Sequence, residues 1–212
     1  MCILLGVCTL DQQAARNGRE PVRQECGMVT TRHMFPHEAE ALAAHLLRLA
    51  PEDRRLRFQG YLSDAAVLRH VHTIDWMRTH VIGAWHQGTV IAAVEVRLDR
   101  ALLPRDAELA VTVTPDRQGQ GLGTQLAERG VDLARSLGVR RMVMTCLTEN
   151  RRMRRIATRL AATARFEDGE VTANVALRPA SLATVWLEAV REGWGWAAAA
   201  GDHWFPRDCN LP

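Results

Sequence analysis

At 212 residues the chain has the length of one domain with room for an appended segment, and 47% hydrophobic content supplies a sizeable core. A formal charge of +3 is too small to argue for nucleic acid, and no apolar stretch reaches the length of a membrane span. Five cysteines (Cys2, Cys8, Cys26, Cys146, Cys209) and eight histidines fall without zinc-ligand spacing, which predicts free thiols, a cytoplasmic protein and no metal.

Residues 1–34 carry no periodic pattern and read as a loose N-terminal arm. From Pro36 the stretch HEAEALAAHLLRLA places Ala39, Leu42, Leu46 and Leu49 on one face among strong helix formers, with Pro51 closing the helix. PEDRRLRF then reads as a charged connection, and Ser63-Asp64 caps a second helix through about His72. This helical pair is expected to wall one side of a cleft. Residues 80–97 form a hairpin about Gln87-Gly88.

Residues 107–124, AELAVTVTPDRQGQGLGT, organise the rest. Leu109, Val111 and Val113 alternate in a β-prone run that Pro115 ends, since proline has no N–H for a ladder. Gly119, Gly121 and Gly123 follow, and then a helix over about 122–137 whose inner face carries Leu122, Leu126, Leu133 and Leu137, with Gly130 for close packing and Gly138 at its end. A strand passing through a glycine loop into a helix start makes an anion site: the backbone comes close, and unpaired N–H groups converge on one spot. Such a nest suits a pyrophosphate.

Val139 opens a further strand to Leu147, Glu149-Asn150 a helix with Met153, Ile156 and Leu160, and 163–178 a hairpin turning at Asp168-Gly169. The tail from Ala180 carries a short helix (Leu182, Val185, Trp186, Val190) and then Trp194, Trp196 and Trp204. It can pack on the sheet, line the cleft or join two subunits of a homodimer. Strands alternating with helices make an α/β fold.

Three loop chemistries compete. No Lys follows the glycines, which excludes the nucleotide P-loop. The dinucleotide fingerprint needs Gly-x-Gly-x-x-Gly and a later acidic residue, and neither is present. Gln118-Gly119-Gln120-Gly121-Leu122-Gly123 instead resembles the Gln/Arg-x-x-Gly-x-Gly/Ala motif of the GNAT acetyltransferase superfamily. The likeness extends over about residues 56–177. It is greatest to the acetyltransferase domain of bacterial protein-lysine acetyltransferases, through Arg57-Phe58, Ala107-Glu108-Leu109-Ala110-Val111 and Leu147-Thr148-Glu149-Asn150-Arg151-Arg152-Met153.

That resemblance implies a GNAT-like fold, a mixed splayed sheet flanked by helices, over residues 35–179, followed by the extension 180–212. It implies acetyl-CoA as cosubstrate, with its pyrophosphate on the N–H groups of Gln118, Gly119, Gln120, Gly121, Gly123 and Thr124. The pantetheine would lie along Val111 and Val113, near Asn150, Arg152 and Met153. Glu108 matches the family's general base, for transfer of an acetyl group to a primary amine on a protein lysine or a small molecule. The tyrosine that many members carry seven positions after the asparagine is Ala157 here, and Leu-Gly-Phe is replaced by Leu160-Ala161-Ala162, so that turn is expected to be built differently. The run Arg151, Arg152, Arg154, Arg155 and Arg159 opposes the helix dipole and suits an anionic ligand such as the CoA 3′-phosphate, or a solvated face. A non-catalytic acyl-CoA-binding module is the rival reading; it would keep the glycines and need no base.

Overall fold

The computed structural model describes residues 29–178, apart from 102 and 104, together with residue 190. The predicted tail helix and tryptophans, and residues 1–28 of the predicted arm, lie outside the described residues. The end of that arm is no loose segment: Thr30–Met34 forms strand β1 at one edge of the sheet. It is too short to announce itself by period, and pairing with β2 (Thr79–His86) holds it.

Seven strands form one sheet in the order β1-β2-β3-β4-β5-β7-β6. β2 and β3 (Thr89–Leu98) make the expected hairpin, with Gln87 and Gly88 both at positive φ, as a tight two-residue turn requires. β4 (Asp106–Val113) runs antiparallel to β3 along its whole length. Against β5 (Arg141–Leu147) it is parallel, and only over three rungs, from Asp106 opposite Arg141 to Glu108 opposite Val143. Beyond Glu108 the two strands part. β6 (Thr163–Glu167) and β7 (Glu170–Ala176) form the closing hairpin, with β7 antiparallel to β5.

Helix α1 (Ala39–Leu47) and helix α3 (Asp64–His72) cover one face through Leu42, Leu46, Val67 and Val71 against Val81 and Ala93. Ser63 caps α3 as expected, accepting from the Ala66 N–H. Helix α4 (Leu122–Ser136) covers the other face through Leu126, Val131 and Leu133. It lies close because residue 130 is glycine: a Cβ there would come within 3.0 Å of Leu109 Cδ1. Leu137, expected inside, is the half-exposed C-cap of α4, one step past the inward stripe.

Pro51 opens a helix rather than closing one. PEDRRLRF is helix α2 (Pro51–Phe58), with proline in the first turn where its missing N–H is not needed, and Glu52 and Asp53 beside the positive end of the dipole. α2 buries no residue fully: Phe58 at its end packs against the core beneath α1 and α3, and the rest of the helix is attached chiefly by charged side chains. Helix α5 (Arg151–Arg159) starts at the Asn150 cap and buries Met153, Ile156 and Ala157.

Candidate active site

The loop from β4 to α4 first turns through a short 3-10 segment, Pro115–Arg117. Gly119 and Gly121 then take φ of 76° and 83°, which L side chains adopt at a steric penalty. Gly123 has a different task. A Cβ there would meet Val113 Cγ2 at 3.3 Å and Val111 Cγ1 at 3.6 Å, so it seats the start of α4 against β4. The nest is narrower than its sequence suggested. The Gln118 N–H reaches Pro115 O at 3.4 Å and the Thr124 N–H bonds Gly121 O at 3.0 Å. Among the described residues the N–H groups of Gly119, Gln120, Gly121, Leu122 and Gly123 meet no acceptor, and they gather at the N-terminus of a 15-residue helix.

The parted strands expose a backbone edge next to this nest. Thr114 N–H bonds Ile91 O, and Asp106 O accepts from Asp99 N–H, so the even-numbered residues of β4 turn their backbone groups to β3. The odd-numbered ones face the gap. Leu109 presents its C=O there, its N–H closing the last rung on Val143; Val111 presents both N–H and C=O, and Val113 its N–H, while the Val113 carbonyl accepts from Gln118 Nε2 at 3.1 Å.

Nest and edge share a cleft of about 310 Å³ lined also by Leu49, Asp53, Arg57, Asn150, Arg152 and Met153. Asn150 Oδ1 accepts the Met153 N–H at 3.0 Å, which leaves the amide nitrogen of its side chain for a ligand. The Gln118 side chain is turned to Asp53 Oδ2 (2.8 Å), and Gln120 Nε2 reaches Asp116 O (3.3 Å). Of the arginine run, Arg152 and Arg155 line the cleft, Arg154 bonds Thr148 O, and Arg159 pairs with Glu128. The cleft wall is α2 with Leu49, not the expected pair of helices; α3 contributes no lining residue.

On the α1–α3 side of the sheet the side chains form a charged row. Glu108 stands on the last paired rung before the gap, half-exposed, and is ion-paired with Arg97 across from it on β3. Two residues along β3, Glu95 is buried, taking Arg57 at 2.7 Å and His70 Nε2 at 3.2 Å. Burial raises its pKa, but Arg57 and His70 more than offset this and hold it down at about 2. His45 Nε2 and Thr112 Oγ1 lie 2.8 Å apart, fully buried at His45; burial, then Arg48, lowers that histidine from 6.5 to about 4, so it is neutral. Sequence reading missed Glu95, although a single carboxylate inside the run IAAVEVRL was a visible signal.

A model of the Acetyltransferase (GNAT) family matches residues 40–162, more than half of the chain. The chain belongs to the GNAT acetyltransferase family. Acetyltransferase PA5475 of Pseudomonas aeruginosa is 30% identical over 130 residues, 59% of this chain and 70% of that protein. The GNAT domain of S. lividans PAT superposes with a TM-score of 0.62 at 26% identity, over 72% of this chain and 92% of that one. For yncA of Salmonella typhimurium, solved with its cofactor acetyl-CoA, the values are 0.54 and 19%, over 72% and 96%.

Two departures from the usual GNAT pattern have structural answers. Ala157 is packed in the core against the sheet, and the chain's one tyrosine, Tyr61, is 82% exposed between α2 and α3. The turn after α5 is made without glycine: Ala161 itself takes the left-handed conformation at φ 55°. Cys146 is a buried β5 residue whose thiol burial pushes up, an inert setting for sulfur. Among the described residues no three His, Cys, Asp or Glu side chains gather at a metal-binding distance, and no helix is long and apolar enough to cross a membrane.

Proposed function

We propose that this GNAT protein is an N-acetyltransferase moving an acetyl group from acetyl-CoA to a primary amine by direct attack in a ternary complex. The observation that carries this is the parting of β4 from β5 directly beside five unengaged N–H groups. A pyrophosphate satisfies the nest, and an extended amide chain satisfies the β4 edge as an added strand would. The Salmonella structure, solved with acetyl-CoA, and the likeness to the S. lividans GNAT domain support that donor. The residues fit it: those of 119–123 for the diphosphate, Val111 and Val113 for the pantetheine amides, and Asn150, Arg152 and Met153 along the opposite lip. When bound, acetyl-CoA supplies the acyl thioester.

Glu108 serves as the base. A lysine-type amine has a pKa of about 10.4 and is protonated at neutral pH, so its nitrogen has no lone pair until a carboxylate or a relayed water takes a proton. Glu108 stands where the strands begin to part, on the sheet face opposite α4, with Arg97 orienting its carboxylate. Glu108→Gln is expected to leave the acetyl-CoA Kd unchanged and to slow turnover by about ten-fold or more. Because Arg97 already occupies the Glu108 carboxylate, a binding module without catalysis is the second reading; unaltered turnover in Glu108→Gln would remove the residue from the mechanism.

A further inference from the structure

α2 crosses the gap between the parted strands as a strap, and polar contacts tie it down on the far side. Asp53 accepts from Gln118 Nε2 with one oxygen (2.8 Å) and from Arg152 with the other (2.6 Å), so one carboxylate joins the glycine loop to α5. Arg55 pairs with Glu149 just before α5, and Gln59 Nε2 reaches Thr145 O on β5 at 3.3 Å. No buried residue of α2 reinforces these links.

The two partners of the Asp53–Arg152 pair are unequal. The Asp53 side chain is 17% exposed and braced a second time by Gln118, whereas Arg152 is 60% exposed. Asp53 is the fixed partner and Arg152 the one able to turn. Both line the cleft that holds the anion nest. The cation that neutralises Asp53 is the same one a phosphate would recruit.

We infer that Asp53 is a positioning residue that competes with the phosphates of the donor for Arg152, so that uptake of the donor loosens α2 from α5. This rests on the donor reading above. It couples the two sides of the cleft: the strap that also carries Arg57, the partner of Glu95, is released on one edge when the donor nest fills.

Calorimetric titration of acetyl-CoA into the full chain and into Asp53→Asn, Arg152→Gln and the double variant tests it. Asparagine keeps an acceptor for Gln118 and removes the charge. Asp53→Asn is expected to bind about three- to ten-fold tighter, with that gain absent when Arg152 is already glutamine. A brace with no competing role gives unchanged or weaker binding. That result, or the same gain without Arg152, overturns the inference. Absence of binding by every variant overturns the donor reading and this inference with it; binding by the unaltered chain without the gain overturns this one alone. Hydrogen exchange on the unaltered chain is independent of how the variants fold. Acetyl-CoA should slow exchange at residues 119–123 and quicken it at 54–59, and slowing at both would contradict the competition.

Discussion

On the donor side of the cleft the groups that face a ligand are backbone N–H and C=O groups, held by glycines and by a strand edge. On the α1–α3 side of the sheet the charged groups are side chains: Arg57, His70 and Glu95 converge from α2, α3 and β3, and Glu108 meets Arg97 across two strands. The first kind of site depends on chain conformation and is damaged by an added Cβ. The second depends on charge balance in a partly dry place, and a change of charge damages it even when the shape is kept. The two walls should therefore fail under different substitutions and in different assays.

The largest effect is expected at Glu95. Glu95→Gln keeps the shape but leaves the Arg57 guanidinium without its counter-charge, and stability should fall by about 3 kcal/mol, read as a lower urea midpoint. Acid should expose the same wall in two stages. His45, held at about 4 against 6.5 in the unfolded chain, binds a proton more readily when unfolded, so stability is lost as pH falls from 6.5 to about 4. Glu95, held at about 2 against 4.5, contributes stability that is complete above 4.5 and drains away as pH falls towards 2. Glu95→Gln should abolish the second stage and keep the first; an unchanged acid profile would remove Glu95 from the account.

The donor wall should answer to Cβ atoms instead. Gly121→Ala forces alanine to φ 83° and should lower stability by about 1 kcal/mol while weakening acetyl-CoA binding, with acid sensitivity untouched. The smallest effect lies outside both walls. Ala161→Gly relieves the left-handed turn after α5 and, with part of that gain offset by glycine's freedom in the unfolded chain, should raise stability by about 0.5 kcal/mol with no change in Kd, a control that separates turn strain from ligand contact.

Legibility in the sequence follows the same division. The donor loop is one contiguous stretch whose glycine spacing, strand and helix are all local signals, and residues 107–124 carried them. Its finer distribution was not local: that Gly123 serves packing, and that the N–H groups of Gln118 and Thr124 are already engaged, depends on atoms of β4 and of the turn itself. The charged wall joins residues far apart in the chain, such as Arg57 with Glu95 and His70 with Glu95, and no short window of sequence contains both partners. α2 was misread because proline both ends and begins helices; the acidic residues directly after Pro51 were the deciding signal. β1 was hidden because a five-residue edge strand is specified by its neighbour and not by its own period.

The central claim is that the nest of residues 119–123 and the open β4 edge together receive acetyl-CoA. Calorimetric titration of the purified chain with acetyl-CoA, with NAD as the control ligand, tests it most directly. Saturable binding of acetyl-CoA, weakened in Gly121→Ala and matched by no binding of NAD, is the predicted result. A folded chain that takes up no acetyl-CoA would contradict the claim, and the roles given to Glu108 and Asp53 would fall with it.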